Sequence, residues 1–99
     1  MNNSKYLSSA IKTAIEDCSF WRHEFVTPEH VLYAFTQQKP FVDALGWLSV
    51  QPSKLTGELE RFFMSMETVP DGRKYAIEGS EQFSQLMSLA VKQAQFSEV

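Results

Sequence analysis

The sequence predicts an all-α protein, a bundle of about five helices, on three observations. Apolar residues recur every three or four positions through most of the chain, the spacing that gathers side chains on one helix face. Prolines and hydroxyl residues stand where those runs begin rather than inside them. No stretch alternates apolar and polar residues as a half-buried strand does. The 99 residues, 43% of them apolar and 13% aromatic, suit one small domain with a core of its own.

The first helix runs from Ser4 to about Phe20. Leu7, Ile11, Ala14 and Cys18 form its stripe, Ala10 and Ile15 widen it, and Lys5, Lys12, Glu16 and Asp17 stay in water. Ser4 is placed to cap the first turn through its hydroxyl. The second start is the clearest in the chain. Thr27 supplies a capping hydroxyl, Pro28 stands where its missing amide costs nothing, and Glu29 faces the positive end of the helix dipole. Val31, Leu32, Ala34 and Phe35 form the buried face, and the helix ends near Gln37-Gln38 because Pro40 disfavours helical geometry at Lys39. A third helix, from Pro40 to about Leu48, buries Phe41, Ala44, Leu45 and Leu48. Pro52 opens a fourth, capped by Gln51 or Ser53, with the stripe Leu55, Leu59, Phe62 and Met66. Helical periodicity then stops from Glu67 to Gly79, where Val69-Pro70-Asp71-Gly72 is turn chemistry. Ser80 caps a fifth helix that carries Phe83, Leu86, Met87, Ala90, Val91 and Ala94 on one side. Phe20 and Trp47 are expected in the core, and Trp21 and Phe25 flank the loop before the second helix as core or staple residues.

The first and fifth helices align at an offset of 76 residues. Ser4 falls on Ser80, Leu7 on Phe83, Ile11 on Met87, Ala14 on Ala90, Ile15 on Val91 and Phe20 on Phe96. The expected organisation is a first repeat of four helices over residues 1–66, a linker over 67–79, and the first helix of a second repeat over 80–99.

Several function classes fall away. A lone cysteine, Cys18, cannot form an intrachain disulfide, which points to a reducing cytoplasm. No segment approaches the roughly 18 apolar residues of a membrane span, and Met1–Lys5 does not open a signal peptide. The formal charge is -3 and the basic residues are scattered, so neither nucleic acid nor a membrane is an expected partner. His23 and His30 do not make a zinc-protease helix: the position four after His23 is Thr27, and Pro28 starts a new helix. No metal and no cofactor is expected. Cys18 on an apolar stripe reads as an inert packing residue, and no nucleophile, base and orienting group can be named together. Catalytic residues are therefore none. For Glu24 and Glu29 two readings stand: solvated acids, one of them complementing a helix dipole, or an acidic patch displayed to cationic groups of a partner.

The run Arg22-His23-Glu24-Phe25-Val26-Thr27-Pro28-Glu29-His30-Val31-Leu32, with Ala44-Leu45, Leu55, Glu58-Leu59-Glu60, Gln82-Phe83 and Ala90-Val91 after it, resembles the N-terminal domain of the Clp ATPases. The likeness is closest to the ClpA type and runs in order from about residue 4 to 97. Its specific part is Thr-x-Glu-His-x-Leu behind His-Glu-Phe. It implies a pair of four-helix repeats on a hexameric AAA+ unfoldase that feeds a ClpP-type peptidase. It also implies a domain that performs no chemistry and docks protein substrates and a ClpS-type adaptor. On that resemblance the adaptor-binding residues are Glu24, Glu29, His23 and Thr27. The ClpC type reads phosphorylated arginine through an acid whose position here is Lys5, which argues against that ligand. The chain ends before a second Thr-x-Glu-His helix, so it is expected to be one repeat plus the start of another, with apolar faces that favour a homodimer. The alternative from a different class is a structural or oligomerisation fragment with no ligand site of its own.

Overall fold

The computed structural model describes the backbone of residues 3–97 and the side chains of residues 5–89, 91 and 92. Five helices follow one another: α1 (Asn3–Trp21), α2 (Pro28–Phe35), α3 (Lys39–Trp47), α4 (Pro52–Ser65) and α5 (Glu81–Ser97). Two short strands, β1 (Phe25–Val26) and β2 (Glu78–Gly79), pair in parallel with Phe25 opposite Glu78 and Val26 opposite Gly79. The protein is all-α, and the strand pair is a clip between the α1–α2 loop and the segment that leads into α5. The side chains of Ser4, Ala90, Ala94 and Phe96, given roles above, lie outside the described residues. Among the described residues no helix is long and apolar enough to cross a membrane.

The start signals act as the sequence indicates. Thr27 is the N-cap of α2 with Pro28 behind it, and Gln51 rather than Ser53 is the N-cap of α4. Ser80 Oγ accepts the Phe83 amide at 3.0 Å and so caps α5. Pro40 falls inside the first turn of α3, which begins one residue earlier than expected, at Lys39. Small residues on α1 let the helices approach closely. Ala10, Ala14 and Cys18 are buried against Val31 and Ala34 of α2, Val26 of β1 and Phe83 of α5, with Ile11, Phe35, Ile77 and Met87 at the margin. α2 is the hub, packed on α1, α4 and α5, while α3 leans on α4.

Several inward assignments need correction. In α4 the buried ring is Phe63, 1% exposed, and Phe62 is 40% exposed. The stripe therefore runs Leu55–Leu59–Phe63, steps of four, where the spacing of three to Phe62 had served equally well. Phe20 and Trp47 are 84% and 90% exposed and belong to no core. Ile15, Leu48 and Val91 are exposed too, as is Ala44. The cause is the shape: the molecule measures 46 × 32 × 18 Å. A thickness of 18 Å holds two helix layers at about 10 Å each, so each helix buries one narrow face.

Candidate functional site

The α1–α2 loop, residues 22–27, carries the predicted site, and two devices fix it. The first is the end of α1. Arg22 N–H donates to the Ser19 carbonyl at 3.1 Å and His23 N–H to the Cys18 carbonyl at 3.0 Å, with Arg22 at φ 58°. This is a Schellman cap with arginine in the left-handed position that glycine usually fills. The side chain explains the choice. The Arg22 guanidinium donates to the carbonyls of Val69 (2.8 Å), Pro70 (2.7 Å) and Arg73 (3.3 Å) and lies 5.3 Å above the Tyr75 ring. The Val69 amide in turn donates to the Arg22 carbonyl at 2.7 Å. One residue thus holds the connecting segment against the loop, and Val69 is buried there. Its partner Asp71 is fully exposed at 3.5 Å and adds little. Gly72, at φ 81°, supplies the positive φ of the turn closed by Arg73 N–H on the Pro70 carbonyl.

The second device is a pair of fully buried histidines. The Thr27 amide donates to His30 Nδ1 at 2.9 Å, so His30 fills the place that Glu or Gln holds in a capping box. His30 Nε2 meets His23 Nδ1 at 2.9 Å, and His23 Nε2 meets the Phe63 carbonyl at 3.1 Å. The ends assign the tautomers. A backbone amide can only donate and a carbonyl can only accept, so each ring accepts at Nδ1 and donates from Nε2. Phe63 stacks on His30 with centroids 4.7 Å apart, and Trp21 stacks on His23 at 5.8 Å. Burial drives His30 down to about 4, helped by His23 beside it, and burial also lowers His23 against the opposing effect of the Phe63 carbonyl. Burial raises the Cys18 thiol to about 11, and its Sγ–H donates to the His23 carbonyl at 3.2 Å; it is a packing group.

The four residues assigned to adaptor binding therefore occupy different settings. Glu24 is exposed and lines an open groove of about 450 Å³ with Phe25, Met66, Tyr75 and Glu78. Glu29 is half-buried in the first turn of α2, outside that groove, and Thr27 is half-buried as the cap. His23 differs most from the others: its ring has no exposed surface, both nitrogens are engaged inside the chain, and in this structure it positions the loop. Sequence reasoning missed Arg22, Phe63 and Tyr75. Only the turn at Pro70-Asp71-Gly72 hinted at the segment Arg22 grips, because a left-handed arginine leaves no local signature. Among the described residues no group of three or more His, Cys, Asp or Glu side chains converges.

A comparison with family models matches residues 2–98 to the Clp repeat (R) N-terminal domain. A search of curated proteins gives no significant match. The matched domain is a non-catalytic N-terminal module, and 99 residues are too few to hold an ATPase. With the motif on an ordered loop, the helix order in place and nearly every residue inside the match, the chain belongs to the Clp repeat N-terminal domain family.

Proposed function

We propose that this module docks proteins for a ClpA-like unfoldase of an ATP-dependent Clp protease, presenting a ClpS-type adaptor and protein substrates to a hexameric ATPase and its ClpP-type peptidase in the cytoplasm. The observation that carries the reading is the setting of Glu24. It is an exposed acid on the family's motif, beside Phe25 and Tyr75, on a loop clamped from one side by Arg22 and from the other by the histidine pair. A carboxylate on a rigid loop loses little freedom when it meets a cation, and such charges act chiefly on association rate. Glu29, at the start of α2, supplies the second acid. The repeat organisation belongs to the same proposal: Met87 of α5 lies at the margin of the core as its counterpart Ile11 of α1 does.

The test is a titration of the chain with a ClpS-type adaptor at several salt concentrations, alongside Glu24→Lys and Glu29→Lys. Reversal of either charge is expected to weaken binding and flatten its salt dependence. Affinity that is unchanged in both variants at every salt concentration removes these residues from the interface. The second reading, an oligomerisation helix bundle, draws on the exposed apolar residues Ile15 of α1 and Leu89 and Val91 of α5.

A further inference from the structure

We propose that the His23–His30 pair is an acid-released latch, closing the α1–α2 loop onto α4 only while both imidazoles are neutral. The hydrogen-bond chain Thr27 N–H to His30, His30 to His23, and His23 to the Phe63 carbonyl has one direction, and every ring nitrogen is used. An added proton on His30 Nδ1 faces the Thr27 amide, a donor, across 2.9 Å and finds an acceptor only in the Thr27 hydroxyl, also at 2.9 Å, so the amide loses its own acceptor. On His23 Nδ1 it faces the Nε2–H of His30 across the same distance. The stacked rings of Trp21 and Phe63 attract a cation through their faces but offer no lone pair to the new N–H. Protonation therefore breaks the chain at its middle, or at the cap strips the α2 N-cap amide of its acceptor, and in either place loosens the hold on the loop bearing Glu24.

No neighbouring charge compensates. Cys18 of α1 bonds the His23 carbonyl, Tyr33 of α2 packs on Phe63, and the loop itself carries Arg22 and Glu24. Asp17 and Glu60 act on Tyr33, and no ion pair reaches either histidine among the described residues. The sign follows from linkage. Both rings bind a proton less readily in the closed state than at their ordinary value of 6.5, so closure is fully favoured above that value and is lost as pH falls towards 4. Asp17, raised by burial and by Glu16, has the opposite sign and is stabilised by acid. The latch concerns the loop itself; its bearing on docking rests on the function proposed above.

Amide hydrogen exchange tests it without any partner. After correction for intrinsic rates, opening at the Thr27 amide is expected to rise on the order of twenty-fold between pH 7 and pH 5 from His30 alone. Ala14 in the core of α1 should change little. In the double variant His23→Gln with His30→Gln, whose amides can keep a donor and an acceptor at each position without titrating, the rise should disappear. An equal rise at Thr27 and Ala14, or the same pH response in the variant, overturns the latch. If the double variant does not fold, imidazole nitrogen NMR of the unmodified chain decides. Both rings protonated at Nε2 and titrating below their ordinary value of 6.5 support the proposal, and a ring protonated at Nδ1 at pH 7 or titrating near 6.5 defeats it.

Discussion

Arg22 holds more of this site together than any acid displayed on it. Its left-handed backbone costs about 1 kcal/mol relative to glycine, and its guanidinium returns hydrogen bonds to three carbonyls of the connecting segment. The two effects can be separated. Arg22→Ala keeps the strain and loses the bonds, and is expected to lower stability by about 2 kcal/mol after allowing for the partial exposure of the side chain. Arg22→Gly loses the same bonds but relieves the strain, so it should cost about 1 kcal/mol less than alanine. Urea denaturation of the two variants checks the order, and a glycine variant no more stable than alanine contradicts the account. The motif residues divide in the same way. Glu24 is available to a partner, whereas His23 and His30 spend all their hydrogen-bonding capacity inside the chain.

For the helices, what was legible depended on how many residues carried the signal. Caps are local chemistry, so Thr27-Pro28 and Ser80 could be read in place. Helical faces need several residues to agree, and α1, with four apolar positions in register, came through. α4 did not, because Phe62 and Phe63 are adjacent aromatics and either completes an apolar stripe from Leu59. Only the rings they meet decide: Phe63 packs on His30, Tyr33 and Trp21, none of them near in sequence. The β1–β2 clip was illegible for a different reason, since two residues are too few to alternate. Gly79 marks it only afterwards, as a Cβ there would sit 2.9 Å from the Phe83 ring. Phe63→Ala is expected to destabilise the fold by about 3–5 kcal/mol and Phe62→Ala by less than 1 kcal/mol. Thermal unfolding of both variants reads the difference, and equal losses would place both rings at the surface or both in the core.

Taken whole, the molecule is a thin slab, and its surface is where sequence reasoning strayed furthest. A composition with 43% apolar residues suggests a generous core, yet two helix layers cannot cover them all. Phe20, Trp47, Leu48 and Met64 stay in solvent, and apolar surface of that kind favours association. Light scattering after size exclusion is expected to return about twice the 11.3 kDa chain mass, and a clean monomer contradicts the dimer. Burial of this sort depends on how many neighbours a helix finds, which no local pattern encodes. Among the faces that the described residues offer a partner are the groove beside Glu24 and the end of α3 around Trp47. The docking account commits to the first. NMR of the labelled chain during titration with a ClpS-type adaptor separates them. Shifts concentrated at Glu24, Phe25, Glu29 and the 66–78 segment are what the account predicts; shifts confined to Trp47–Gln51, or none at all, would contradict it.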